Sequence, residues 1–147
     1  IVSTPGFCND REMASGYTWS SEPSSSIYYA AYERRSNRTP SYECSNTNDL
    51  YTTKIGLITA DEVMYAGAAG TTTNYGYYLY TGNYYWSMSP YYYSRYVWVL
   101  YVESRGFLYY GSDVTGVYGV RPVINLKADI TITGSGTISD PYVVNKV

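Results

Sequence analysis

Histidine is absent from this 147-residue chain, which removes the side chain most used for metal ligation and for proton transfer near neutral pH. Only Cys8 and Cys44 could stand in as soft ligands, so zinc and haem sites of the usual kind have no ligand set, and no metal or cofactor is expected. Ser/His and Cys/His pairs for covalent catalysis are excluded with it, and neither a phosphate-binding glycine loop nor a nucleophile elbow occurs. Catalysis would fall to carboxylates, Lys or Tyr, and no spacing singles any of them out; the expectation is a protein that is not an enzyme. Charge is scarce as well: 10 Lys and Arg against 12 Asp and Glu, 15% of the chain, for a net charge of −2. Nucleic acid needs a basic excess beside its stacking rings, so it is not an expected partner. No apolar run approaches the roughly 18 residues of a membrane span, so direct membrane insertion is not expected either.

What the chain has instead is tyrosine, 22 residues of it, of which 14 fall between Tyr75 and Tyr118. Tyrosine offers a large flat apolar face and one hydroxyl while freezing few torsions, which is why binding surfaces are rich in it alongside Ser, Gly and Asn. The plainer reading is that tyrosines favour strands and pack across them. A run such as Tyr91-Tyr92-Tyr93 resists that reading, because alternation along a strand must turn at least one ring outward. The length fits one domain over residues 1–147, able to bury about 68–70% of its unfolded surface. The chain opens at Ile1 rather than Met, as an excised or processed domain would. Cys8 and Cys44 either pair, closing a loop worth on the order of 4 kcal/mol in chain-entropy terms, or stand as two buried thiols.

Taken in order, Thr4-Pro5-Gly6 signals a turn and Phe7-Cys8 an anchor into the core. Ser20 to Ser26 is a Ser-rich loop. The stretch from Ile27 to Arg35 suits a short helix capped by Ser25 or Ser26, with Ile27, Ala30 and Ala31 on one face, although its tyrosines also suit a strand. Arg34, Arg35 and Arg38 form the one basic cluster, read as a solvated face, and Asn37-Arg38-Thr39 is a glycosylation sequon. Lys54 to Ile58 reads as a strand. After it, Thr59 and Glu62 form a capping box, Ile58 and Val63 a hydrophobic staple, and Gly67 a stop, which predicts a helix over Asp61 to Ala66. Asp61 and Glu62 are adjacent, so on a helix they point about 100° apart, and capping explains them better than paired acid–base chemistry.

Strands are then expected at Tyr77 to Tyr80 and Tyr84 to Met88 around a Thr81-Gly82-Asn83 turn, with Ser89-Pro90 as punctuation. Tyr96 to Glu103 alternates, Val97, Val99 and Tyr101 opposing Trp98, Leu100 and Val102, and two apolar faces predict a central strand. Ser104-Arg105-Gly106 turns the chain into Phe107 to Tyr110. Val117 to Leu126 is a strand region interrupted by Pro122, with Arg121 read as a paired structural arginine. Ile130 to Thr133 and Thr137 to Val144 form a last hairpin. The fold class is α+β.

Four segments carry a family resemblance: Phe7-Cys8-Asn9-Asp10-Arg11, Ile55-Gly56-Leu57-Ile58-Thr59-Ala60-Asp61-Glu62-Val63, Tyr85-Trp86-Ser87-Met88-Ser89-Pro90, and Gly119-Val120-Arg121-Pro122-Val123-Ile124-Asn125-Leu126-Lys127 with the ending from Gly136 to Val143. Together they resemble a family of bacterial and phage surface domains, similar in turn to the C-type-lectin-fold variable proteins diversified by retroelements. In those proteins reverse transcription substitutes adenines in a C-terminal cassette. The resemblance implies a C-type-lectin-like fold of one or two short helices and many short, mostly antiparallel strands, an extracellular, cell-surface or virion location, and a variable Tyr-rich segment at about residues 91–118. Within it, apparent core positions Val97, Val99, Val102, Leu108 and Val114, with Gly106 at the turn, alternate with Tyr92, Tyr93, Ser94, Arg95, Tyr96, Tyr101, Arg105, Phe107, Tyr109, Tyr110, Ser112, Asp113 and Thr115. Each of the latter residue types is reachable from an asparagine codon by changing adenines, whereas Trp98 and Glu103 are not reached from the usual one. The triplets used by calcium-dependent lectins of this fold are missing, Glu22-Pro23-Ser24 being a partial echo, and Cys8 and Cys44 do not match the C-terminal cysteine pair of its formylglycine-generating oxidases.

The resulting expectation is a surface domain that binds a protein or glycan ligand through Tyr92, Tyr93, Arg95, Tyr96, Trp98, Tyr101, Arg105, Phe107, Tyr109, Tyr110 and Asp113, aromatic anchors with charged residues adding orientation. The rival is a fixed structural or adhesive module whose tyrosines pack against neighbouring domains. Exposure separates the two, and on the first reading Tyr110→Ala leaves stability almost unchanged.

Overall fold

The computed structural model describes residues 6–19, 24–43, 50–137 and 139–145. In chain order these form β1 (Gly6–Cys8), β2 (Ile27–Tyr28), α1 (Ala30–Asn37), β3 (Leu50–Thr52), β4 (Gly56–Leu57), α2 (Ala60–Tyr65), β5 (Tyr85–Tyr93), β6 (Val97–Val102), β7 (Leu108–Tyr109), β8 (Pro122–Val123), β9 (Thr131–Thr133) and β10 (Val143–Asn145). The central sheet is antiparallel in the order β2-β5-β6-β7, and three two-stranded ribbons, β1-β3, β4-β8 and β9-β10, surround it. Two short helices with many short antiparallel strands make this an α+β arrangement.

The core lies where α1, α2 and the strands β5, β6 and β7 meet. Ala31, Ala60, Val63, Ala68, Tyr77, Tyr85, Tyr91, Leu100, Val102 and Leu108 pack together there. Alanine on the helices lets them approach the sheet, and tyrosine rings fill volume that Leu and Ile would occupy in a chain richer in them. Register puts Tyr85, Val102 and Leu108 side by side on the core face, and Trp86, Tyr101 and Tyr109 side by side on the other.

Helix α2 is capped as its sequence states. The Thr59 hydroxyl accepts from the Glu62 amide at 3.2 Å and the Glu62 carboxylate accepts from the Thr59 amide at 2.8 Å. Two buried serines of β5 act here: Ser89 Oγ ties the helix start to the sheet by accepting from the Ala60 amide at 2.9 Å, and Ser87 Oγ donates to the Leu100 carbonyl of β6 at 2.6 Å. Each satisfies a polar group that burial would otherwise leave costly.

Several expectations need correction. Helix α1 starts three to four residues late for a cap at Ser26 or Ser25; its N-cap is Tyr29, with no side-chain cap bond, because Ile27 and Tyr28 pair with Tyr93 and Tyr92 instead. The arginines of the basic cluster are not a solvated face. Arg34 forks onto Asp61, with Nε to Oδ1 at 2.8 Å and Nη2 to Oδ2 at 2.9 Å, and also bonds Asp10. Burial lowers the affinity of Arg34 for its proton, but the two carboxylates outweigh it and the guanidinium is held above its ordinary value. Burial likewise pushes the Asp10 carboxyl up against the pull of Arg34. Arg35 is buried and bonds the Leu108 and Gly70 carbonyls at 3.0 and 2.7 Å. Only Arg38 points to water, at a left-handed C-cap with φ +57°.

Tyr77 to Tyr80 is a turn rather than a strand, and Lys54 to Ile58 contributes only β4. Pro90 does not end a strand. It sits within β5 between two register shifts, the one interior strand position where a missing N–H is harmless. Arg121 is structural, as expected, yet its partner is the Leu79 carbonyl at 2.7 Å and the Tyr85 ring, not a carboxylate. The final hairpin forms as β9 and β10. Cys8 is disulfide-bonded; Cys44 lies outside the described residues, as do Thr4-Pro5, Ser20 and Glu22-Pro23.

Candidate ligand-binding surface

The β5–β6 connection, Ser94-Arg95-Tyr96, brings two exposed members of the expected ligand set to one end of the central sheet. Tyr96 is 53% exposed and Arg95 is exposed beside it. Behind this turn Tyr92 and Trp98 face each other across the ladder and stack, with centroids 5.2 Å apart and planes 16° from parallel. Tyr93 pairs with Val97 and packs on Trp19. The chain returns to the same end through an isolated bridge between Trp98 and Asp113 and a bond from the Val114 amide to the Val97 carbonyl at 3.1 Å. Tyr92, Tyr93, Trp98, Tyr109, Tyr110 and Asp113 are all partly exposed.

Two of the expected ligand residues are interior. Tyr101 is 4% exposed and Phe107 6%. Tyr101 lies on the non-core face of β6 with Trp86, Tyr109 and Tyr118 around it, at centroid distances of 5.8, 6.0 and 4.8 Å. Segment 111–118 covers that face, and Gly111 must be small there, since a Cβ would stand 2.6 Å from the Tyr109 ring and 3.3 Å from the Tyr101 hydroxyl. Burial raises the Tyr101 phenol, and Tyr118 adds to it. Alternation identifies the face of Tyr101 but not the segment that closes over it. The apparent core set also shifts: Val102 and Leu108 are fully buried, Val97 and Val99 are half-buried, and Val114 is 56% exposed, while Leu100 is the central apolar residue of β6.

The charged members serve the scaffold first. Glu103 accepts from the Arg105 amide at 2.7 Å, from Arg105 Nε at 3.1 Å and from the Tyr84 hydroxyl at 2.9 Å. Burial pushes its carboxyl up, but these donors outweigh that and hold it below the usual carboxylate range. They pin the turn at Gly106, where φ is +84° and any Cβ would collide with the Asn74 carbonyl. Arg105 itself stays exposed over the Phe107 ring. Asp113 is engaged by the Thr115 hydroxyl and amide, which hold its carboxyl low and shape the turn.

Tyr110 is partly exposed but not free of the core. Its ring stacks on buried Tyr91 at 4.2 Å and 13°, and the Arg35 guanidinium lies 5.0 Å from its centroid. The surface therefore divides into Arg95 and Tyr96, which touch little, Arg105, which is exposed but tied to Glu103 and the Phe107 ring, and rings such as Tyr92, Trp98 and Tyr110, which are half of the scaffold. Sequence reading missed the N-terminal contribution entirely. Trp19, 59% exposed, and Tyr17, edge-on to Tyr28, join this end from residues far outside the Tyr-rich segment.

Comparison of the chain with protein-family models, with characterised proteins and with solved structures finds no match.

Proposed function

We propose that the protein is a non-enzymatic ligand-binding domain of the receptor or adhesin type, with a C-type-lectin-like fold, displayed on a cell or virion surface. On this reading it is a retroelement-diversified variable protein that grips a protein or glycan target with the exposed part of its Tyr-rich segment. The observation that carries the reading is the division of that segment into two sets of side chains. Tyr85, Tyr91, Leu100, Tyr101, Val102 and Leu108 are buried, whereas Arg95, Tyr96 and Arg105 stand exposed. Exposed positions that touch little can be exchanged within roughly ±0.5 kcal/mol, so such a surface tolerates variation without loss of the fold.

The fixed-module reading draws on a different observation: Ile132, Tyr142 and Val143 of the β9–β10 ribbon are exposed, as surfaces packing on a neighbouring domain would be. Two measurements separate the readings. Fluorescently labelled protein titrated onto a panel of intact bacterial surfaces is expected to label a subset, and the Arg95→Ala/Tyr96→Ala variant to lose that labelling at an unchanged unfolding midpoint. Undiminished labelling by the variant sinks the binding reading. Sequencing around the gene is expected to find a reverse transcriptase and a near-repeat of the segment coding for residues 91–118; a locus with neither leaves a fixed adhesin.

A further inference from the structure

Arg121 stands in a wall that is otherwise apolar, without the carboxylate that a cation in such a place normally has. Its Nη1 donates to the Leu79 carbonyl at 2.7 Å, and its guanidinium lies 4.9 Å from the centroid of the Tyr85 ring. The Tyr85 hydroxyl donates to the same carbonyl at 3.0 Å, which fills both lone pairs of that oxygen and fixes the two side chains against each other. Among the described residues Arg121 has no other hydrogen bond and no ion pair, so most of the five N–H donors of its guanidinium are unused.

Arg121 lines a cavity of about 280 Å³ together with Tyr85 and the apolar side chains of Ile58, Leu79, Pro122, Val123 and Ile124, and no described carboxylate borders it. Tyr85 is buried whereas Pro122 and Ile124 are exposed, so the cavity runs from the edge of the core to water. It lies beside the start of β5, at the other end of that strand from the Ser94-Arg95-Tyr96 turn.

Ligand pockets are mostly apolar with a few fixed polar groups, and their volumes start near roughly 300 Å³, so this one suits a small ligand. A guanidinium held by one carbonyl and one ring, with donors to spare, matches a carboxylate, which takes two parallel N–H bonds. The rest of the wall offers hydrocarbon contact. A peptide end would carry amide N–H and C=O groups into that wall, where the one side-chain hydroxyl, that of Tyr85, is already engaged, and each unmet amide is costly. A plain alkyl chain carries none.

We infer that this cavity binds an aliphatic carboxylic acid of about six to ten carbons, with its carboxylate on the Arg121 guanidinium and its chain along Ile58, Val123 and Ile124. The site is separate from the Tyr-rich surface and does not depend on what that surface binds.

The test is calorimetric titration of the full chain at neutral pH with octanoate, octanol, octylammonium and N-acetyl-alanyl-leucine, each kept below the concentration at which it self-associates. Octanoate is expected to bind at one site per chain. Octanol and octylammonium are expected to bind at least about tenfold more weakly, since neither supplies the anion for a charge-assisted fork. From butanoate to octanoate each added methylene is expected to tighten binding by up to about fourfold. Arg121→Gln is expected to weaken octanoate binding at least about tenfold. Because Arg121 also holds the Leu79 carbonyl, Ile124→Asp is the second variant. It leaves Arg121 in place, puts a carboxylate of the chain's own at the exposed side of the cavity, and is expected to exclude octanoate as fully with the unfolding midpoint near that of wild type. No saturable octanoate binding, or many weak sites per chain, overturns the inference. Octanol or octylammonium binding as tightly as octanoate overturns it as well, since an apolar cavity alone is then being filled. Tighter binding of the peptide puts a chain terminus in place of the fatty acid and overturns the ligand class. Full octanoate affinity in Ile124→Asp, or in folded Arg121→Gln, takes the ligand out of this cavity.

Discussion

Replacing Arg35 by Met tests whether a buried cation without a carboxylate holds the helix α1 to the sheet. The guanidinium donates to the carbonyls of Leu108 and Gly70, at 3.0 and 2.7 Å, and faces the rings of Tyr110 and Tyr91 at 5.0 and 5.8 Å. Hydrogen bonds to a charged group contribute about 1.5–3 kcal/mol each, and a desolvated cation–π contact up to about 2 kcal/mol. Against that, Met keeps the packing of the arginine stem and relieves the desolvation of the charge. The lower ends of these ranges therefore apply, and the net loss is about 3–4 kcal/mol. In a chain of this size each kcal/mol moves the midpoint by about 2–4 °C, so Tm is expected to fall by about 6–16 °C. Urea unfolding at constant slope provides the independent value. Arg38→Lys, at the exposed C-cap of the same helix, is the control and is expected within about 0.5 kcal/mol of wild type. A loss below about 1 kcal/mol for Arg35→Met would refute the reasoning, since it would mean that both carbonyls find water or other donors at no cost.

Thr59→Ala removes one half of the capping box of α2 and is expected to cost about 1 kcal/mol in urea unfolding, with the Glu62 amide left to water. Tyr110→Ala, unlike the sequence-based expectation, is expected to destabilise by about 1–2 kcal/mol because it uncovers Tyr91 and Arg35, whereas Tyr96→Ala stays within about 0.5 kcal/mol; equal midpoints for the two variants would contradict that ordering. Burial pushes the Tyr91 phenol up to about 12, and the Tyr77, Tyr85 and Tyr101 phenols upward as well. A phenol whose folded pKa exceeds the unfolded value of about 10 holds its proton more tightly in the folded chain, so the stability it contributes is complete below pH about 10 and lost as pH rises to about 12. Tyrosinate absorbance should accordingly rise in two stages, exposed rings first and the buried set together with unfolding; a single stage centred near pH 10 with the fold intact would contradict their burial.

What can be read from this sequence depends on how far apart the interacting residues lie. Thr59 and Glu62 need only each other, three residues apart, and the helix they start is legible. So is β6, whose alternation needs only its own six residues. Arg34 and Arg35 are a different matter: Asp10, Asp61, Gly70 and Leu108 lie 24 to 73 residues away, so nothing local distinguishes them from a solvated cluster. Pro90 misleads because a proline inside a strand is tolerated only at an irregularity of the ladder, and register shifts leave no mark in sequence. Tyr101 misleads for a third reason. Its exposure is decided by where residues 111–118 travel, and a half-buried face becomes an interior once another segment lies on it.

Among the described residues both edges of the central sheet are closed, at β2 by the Ala14 amide on the Tyr28 carbonyl and the Met13–Tyr29 bridge, at β7 by the Leu108 amide on the Ala69 carbonyl and by Arg35 on the Leu108 carbonyl. This closure bears on how such a chain remains safe to make. Strand-forming residues rich in aromatics and poor in charge, as at Tyr91 to Leu100, have the composition that stacks into cross-β fibrils when a backbone edge is free. Here the protection sits in the main chain of Met13, Ala14 and Ala69 and in the buried side chain of Arg35, none of which belongs to the segment expected to vary. Exposed positions can then pass through many aromatic combinations without any one of them having to act as its own gatekeeper against aggregation. Edge protection and the chemistry of the most exposed positions are thereby carried by different residues, and a change at Arg95 or Tyr96 does not reopen an edge.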